Sequence, residues 1–562
     1  MSLLFETAAA VAEPDPHRAD VACFVGYVAR RADQPLPPAM RAQIAAAGWV
    51  AGIWRRPAEQ VEALLNIPVV VDGWDPFNRL FAWDLRPLRD TGSGTGQGNR
   101  IGVCATYLGA AVRSFFARGG RRAVIVRVGD PWPFIEPAAA RDAARRERLR
   151  KLIPDFADRA NPSRLFAPYD PSSWQGLHHL YGLREVSLLV LPDLADACCT
   201  QDNEPRIDLP PPAVATGFVE CSDNELPAPD TTLRRIPAPR LDSNGFAAWQ
   251  LALVATRAFL ARHQREVMLL AALPLPQAQT QRVLGDTPGV LGDTPGVSGD
   301  TPGVSGAGQV HAQADMLAYL QRIGVIAAQP LANGDDPGAS SAFVQLAWPW
   351  LRTQASVDLP ESLEAPDGVL AGLVSAGAVA RGAFRSVAGD LSIARLRDVG
   401  DAEPIPSWGL GDDSRDAQLA RHVCVFAQQP EGWALQSDVT LSSSEAWRFG
   451  GASRLMGTIL RAARTAGDAL AFDTNGNATW ARVRRVVQNL LEGFWREGAF
   501  AGASMGEAFA VRCDRSTMTQ ADLDAGRLVV EITVRPVMSI ERITVLLNLN
   551  NAGDTAALRE AA

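Results

Sequence analysis

The residues with the strongest claim to chemistry lie at "GASMG", positions 502 to 506, where G-x-S-x-G spacing offers Ser504 as a nucleophile on a sharp turn. A serine attacks only when a base takes its proton at hydrogen-bond distance. In the hydrolase chain order that base is a histidine after the serine, yet the last of the six histidines here is His422. The order Asp, His, Ser survives in principle, but none of His17, His178, His179, His263, His311 and His422 stands in an "HGT" setting. Serine hydrolysis through Ser504 is therefore the alternative to the main reading. The glycines at 92, 94, 96 and 98 suggest a phosphate cradle, but no Gly-Lys-Ser/Thr follows them and no buried strand runs into them. The histidines lack H-x-x-x-H spacing, and the seven cysteines have no C-x-x-C pair. Neither a metal site nor a cofactor is expected.

The elements that would have to position such groups are easier to read. "VACFVGYVARR" (21 to 31), "AVIVRV" (123 to 128), "EVSLLVLPD" (185 to 193), "REVMLLAALPLP" (265 to 276) and "SAFVQLAWPWLRT" (341 to 353) are apolar enough for buried strands. Between them, Leu108, Val112, Phe115 and Phe116 recur at helical spacing, with Gly119 and Gly120 ending that helix in a left-handed turn, and a long helix is expected from about 246 to 263. Strands alternating with helices predict an α/β layer with a largely parallel sheet. "APDGVLAGLVSAGAVARGAF" (365 to 384) is small and glycine-rich, as close backbone packing requires. Helices are expected at 309 to 323 and 477 to 497, the latter with Trp480, Val483, Val487, Leu490, Leu491, Phe494 and Trp495 on one face. Near the end, Leu528, Val530, Ile532 and Val534 stand against Val529, Glu531, Thr533 and Arg535, and Ile543, Val545, Leu547 and Leu549 have Thr544 and Asn548 between them, which predicts two strands before an Ala- and Gly-containing tail.

A chain of 562 residues exceeds one hydrophobic core, so several domains are expected. The net charge of -8 argues against nucleic acid as the main partner. The arginine-rich stretch "RDAARRERLRK" (141 to 151) reads as a solvated helix face. No apolar run is long enough to span a bilayer, and the N-terminus lacks a basic secretory n-region, which predicts a cytoplasmic product without membrane insertion. The Pro-rich stretch from about 205 to 239 and the threefold "GDTPGV" repeat (285 to 305) read as loops, the repeat as a surface insertion.

Four separated segments then resemble one family in the right order. "GFWREGAFAGASMGEAFAVRCDRSTMTQADLDAGRLVVEITVRPV" (493 to 537) is similar to the C-terminal domain of contractile tail sheath proteins. "YLGAAVRSFFARGGRRAVIVRV" resembles the family's helix and "FF-x-x-G-G" turn, "FVQLAWPWL" its "Y-x-P-W" strand, and "APDGVLAGLVSAGAVARGAF" its "P-P-S-G-x-x-A-G" stretch. The resemblance implies an α/β outer domain, subtilisin-like in layering but non-catalytic, plus an α+β C-terminal sheath domain. It divides the chain into an N-terminal arm (1–20), an outer domain (21–400) with loop-rich insertions at about 130–180, 200–245 and 277–308, a C-terminal domain (401–537) and a C-terminal arm (538–562).

The implied function is structural. Subunits stack as six-fold rings around an inner tube, in a phage tail or a tail-like injection particle, and contract to drive the tube through a target envelope. The implied partners are further copies, the inner tube protein, and baseplate and cap proteins. In the family, terminal arms lend strands to neighbouring sheets. Carried onto this chain, Ile543, Val545, Leu547 and Leu549 form the lent strand, Pro536 to Ser539 its hinge, and Leu528, Val530, Ile532 and Val534 belong to the receiving sheet. A hairpin within one subunit is the other reading of the same residues. Arg482, Arg484 and Arg485 could meet an acidic tube, or simply form a solvated helix face. The N-terminal "SLLFETAAAVAEP" stands where the family has a "P-G-V-Y-V-E-E" strand, and "MSIERI" where it has "K-P-A-E-F". These departures suit a specialised sheath paralogue near the baseplate or cap.

Overall fold

The apolar runs become strands because burial on both faces is the state that removes all their side chains from water. The computed structural model describes residues 18–52, 55–90, 102–156, 169–204, 232–277, 320–321, 325–326, 341–388, 395–396, 401–403, 419–429, 432–468, 476–524, 527–537, 547–551 and 554–558. The "GDTPGV" repeat, most of the Pro-rich stretch, the glycines at 92 to 98 and nearly all of the 309 to 323 helix lie outside these residues. The chain forms two compact units, Met1–Phe472 and Asp473–Ala562.

In the first unit, β1 (Val21–Tyr27), β2 (Val69–Val71), β3 (Arg122–Gly129), β4 (Leu188–Val190), β5 (Met268–Ala272), β6 (Val344–Trp348), β7 (Arg395–Leu396), β8 (Cys424–Gln429) and β9 (Gly432–Leu435) make one sheet. Its order is β7-β9-β8-β6-β5-β4-β1-β3-β2. The six strands from β8 to β3 are parallel, and antiparallel strands finish both sides. Every residue of β1, β4, β5 and β6 is buried. The expected α/β layer is present.

Helix α1 (Tyr107–Ala117) begins at Thr106, whose side chain accepts the Gly109 N–H, and ends before Gly119, which takes φ +95°. Downstream come α2 (Ala138–Leu152), α3 (Ser243–His263), α4 (Asp367–Arg381) and α5 (Gly450–Asp468). Helix α4 packs against α1 at backbone range. A Cβ on Gly368 would lie 2.5 Å from the Ala111 Cα, and one on Gly372 would lie 2.7 Å from the Phe115 carbonyl oxygen. That is the close approach expected from the glycine-rich segment.

Two expectations change. Residues from 401 to 472 belong to the first unit rather than opening a C-terminal domain, because β8 pairs parallel with β6 and so joins the sheet. Helix α5 is tied there too. The Arg454 guanidinium donates to both Asp438 oxygens, at 2.9 and 2.6 Å, and to the Ala383 and Arg385 carbonyls, while Gln345 of β6 donates to Asp438 at 2.8 Å. Burial pushes the Asp438 carboxyl upward, but the Arg454 charge and these hydrogen bonds outweigh it and hold it below its usual range. The second change concerns α2, whose arginines are not all solvated. Arg141 is buried and pairs with Asp196, and Arg148 reaches Glu136 at 2.8 Å.

Candidate functional site: an incomplete sheet in the C-terminal unit

In an open α/β sheet, ligands enter at the carboxyl ends of strands where the order reverses, here around β1 between β3 and β4. That crevice is filled. Asp193, just after β4, accepts the Tyr27 N–H at 2.7 Å and the Leu108 N–H at 3.3 Å. Gly26 leaves the space it occupies, since a Cβ there would fall 2.3 Å from Asp193 Oδ2. Arg86 and Asp196 form a buried pair at 2.7 Å beneath it. Burial raises the Asp193 carboxyl to about 7. These groups satisfy one another and the backbone rather than facing a substrate. His178 contacts Asp155 at 3.0 Å and stacks on Phe259, while burial lowers the neighbouring His179 to about 3. Among the described residues no cluster of His, Cys, Asp and Glu is arranged to hold a metal, and no helix is long and apolar enough to cross a membrane.

The C-terminal unit presents a different kind of site. Helix α6 (Asn477–Arg496) is amphipathic, with Trp480, Val483, Val487, Leu491 and Phe494 buried. It packs on β10 (Phe509–Arg512), which pairs antiparallel with β11 (Glu531–Val534). In register, Phe509 faces Val534 and Val511 faces Ile532. Phe500 bridges Phe494 and Phe509, at ring distances of 6.3 and 6.0 Å. The alternation read from the sequence holds along this chain: Leu528, Val530, Ile532 and Val534 all lie on the half-buried side, while Val529, Glu531, Thr533 and Arg535 are exposed. The ladder itself covers only Glu531–Val534, and among the described residues β10 and β11 pair with no third strand. A two-stranded sheet on one helix covers its apolar face incompletely.

After β11 the chain stays pinned. Pro536 bridges Phe500, and the Val537 N–H donates to the Ala499 carbonyl at 3.0 Å, so Pro536 and Val537 are held rather than hinge-like. Ile543 and Val545 lie outside the described residues. Leu547 and Leu549 fall in β12 (Leu547–Asn551), which forms its own two-stranded antiparallel sheet with β13 (Asp554–Leu558). The tail thus contains a strand that its Ala-rich sequence did not suggest. Arg482, Arg484 and Arg485 are exposed on α6.

Ser504 precedes a short helix, α7 (Met505–Ala508), and is exposed. The loop is held by its own contacts, with Glu507 accepting the Ala503 N–H at 3.0 Å. Residues 473 to 562 contain no histidine. The acidic loop after β10 is likewise self-satisfied. Asp514 accepts the Ser516 N–H and O–H, which lower its carboxyl, and Asp522 is lowered to about 2 by hydrogen bonds from Thr519 and Arg527. Such turns fix a loop and leave no vacant ligand set.

No protein-family model matches the chain, and no curated protein matches it. Among solved structures, a chain of the anti-feeding prophage baseplate in the contracted state is similar over 98% of each chain, with TM-score 0.50 and 16% identity. The helical sheath of the anti-feeding prophage in the contracted state aligns over 99% of both chains (TM-score 0.48, 17% identity). The contracted sheath complex of the extracellular contractile injection system PVC covers 99% of this chain and 97% of its own (TM-score 0.45, 15% identity). The first of these likenesses establishes a shared fold from end to end.

Proposed function

We propose that this chain is a structural subunit of a contractile sheath, assembling with further copies around an inner tube and doing mechanical rather than catalytic work. The observation that carries the proposal is the fold shared over 98% of both chains with a protein of a contracted baseplate. The filled crevice around Asp193 and the absence of histidine from residues 473 to 562 agree with it.

In this reading the first unit is the outer, subtilisin-like layer, the second faces the tube, and the two-stranded β10–β11 sheet is where neighbours join. A strand added to an open edge gains backbone hydrogen bonds, while the alternating side chains set register. At about 1 kcal/mol net per bond, a five-residue strand such as β12 adds a few kcal/mol per link. Repeated through a polymer, such links hold a lattice while each subunit turns as a rigid body. Leu547 and Leu549 belong to the lent segment, and Arg482, Arg484 and Arg485 form the surface offered to an acidic tube. Negative-stain electron microscopy of the purified chain tests the assembly claim. Ringed tubes are expected, and a protein that stays monomeric at every concentration, with or without a tube protein, would contradict it.

A further inference from the structure

The first unit contains a groove of about 1200 Å³ at the amino-terminal ends of β4, β5 and β6, between the end of α3 and helix α5. Part of its wall is apolar and the rest is lined by serines, arginines and two glutamates. Met456 and Leu460 lie one turn apart on α5, and with Trp447, Phe343 and Ala261 they form the apolar part. Trp447 is 40% exposed and Leu460 38%, so the groove presents large side chains to water. Around them stand Arg257, Arg265 and Arg461. The acids there are already engaged: Glu266 by Arg464, and Glu445 by Arg448 at 2.9 Å.

The chain itself enters at this groove. Ala19 lines it, and the carbonyl of Arg18 accepts a hydrogen bond from Arg461 Nη1 at 2.6 Å. The described chain therefore begins at the rim, and residues 1 to 17 lie outside the described residues. Their composition complements the groove, with Leu3, Leu4 and Phe5 at the apolar end, Glu6, Glu13 and Asp15 as the charges, and no lysine or arginine. Reach is no obstacle, since thirteen residues from Phe5 to Arg18 span up to about 45 Å when extended. We infer that the groove between α3 and α5 is the docking site of the chain's own N-terminal segment in the unassembled subunit, with Leu3 to Phe5 against Trp447, Met456 and Leu460. Docking covers exposed apolar surface and sets acidic residues against a cationic rim. The segment is thereby stored on its own subunit, a role that rests on the assembly proposal, whereas the docking itself does not.

The test places a photo-cross-linking benzoylphenylalanine at position 5 of the full chain, at dilution, and maps the adducts by mass spectrometry. Intramolecular cross-links to Trp447, Met456 or Leu460 are expected. Leu460→Asp, at an exposed position the fold tolerates, should lower their yield about tenfold, the equivalent of about 1.4 kcal/mol. In parallel, Phe5→Asp in the full chain should raise amide exchange across 450–468. Adducts only between chains, adducts only outside the groove, a yield insensitive to Leu460→Asp, or exchange unaffected by Phe5→Asp would each overturn the inference.

Discussion

The nine-stranded sheet of the first unit and the β10–β11 sheet of the second treat their edges in opposite ways. The first unit surrounds six parallel strands with antiparallel ones and buries entire strands such as β1 and β6. In the second unit, β10–β11 leaves its inner face half-buried and finds no further strand among the described residues. An edge of unpaired backbone is a liability unless a partner covers it. On the proposed reading, stability belongs to the first unit and assembly to the second, and substitutions can separate the two.

The largest effect belongs to the buried pair that ties α5 to β6. Arg454→Ala leaves the Asp438 carboxylate buried without its cation, and a loss of about 3 to 5 kcal/mol is expected in denaturant unfolding of the first unit. Gly372→Val comes next. Its side chain would meet the Phe115 carbonyl and the Arg118 Cβ, so a loss of about 1 to 3 kcal/mol is expected, unless α4 can move away from α1. If either variant unfolds the second unit alone, the division of roles is wrong.

A separate, pH-dependent effect comes from buried carboxyls without a cation partner. Burial raises Glu364 to about 8, against the lowering effect of hydrogen bonds from Thr353 and Ser114, and raises Asp367 and Asp193 to about 7. Each binds its proton more tightly when folded, so the stability it contributes is fully present below its unfolded value near 4. That contribution is lost as pH rises toward 7 to 8. The melting temperature of the first unit should fall between pH 5 and pH 8.5. Glu364→Gln, which is always neutral, should flatten the slope, and an unchanged slope would remove Glu364 from the explanation. The smallest effect is expected at the exposed face of α6. Replacing Arg482, Arg484 and Arg485 with glutamate should change stability by less than about 0.5 kcal/mol per site. The same triple variant should weaken co-sedimentation with a tube protein.

How much of this was readable in advance follows from which signals are local. The turn after α1 was legible because Gly119 and the strand behind it are adjacent in sequence, and the packing of α4 because Gly368 and Gly372 recur one helical turn apart. The alternation of Leu528, Val530, Ile532 and Val534 gave the half-buried side of the C-terminal sheet correctly. The domain boundary was missed because β8 joins the sheet through β6, a pairing about 80 residues away that no local pattern encodes. β13 was missed because "DTAAL" carries little strand propensity. The burial of Arg141 and Glu364 could not be read either, since a lone charged residue in sequence does not reveal the partner that makes its burial tolerable.

The central claim is that copies of this chain are joined through borrowed strands in the C-terminal unit, and it is tested most directly by imaging the full chain beside one ending at Ser539. The account predicts ringed tubes from the first and a folded but unassembled protein from the second, with the melting of the first unit unchanged. Indistinguishable tubes from both would contradict it.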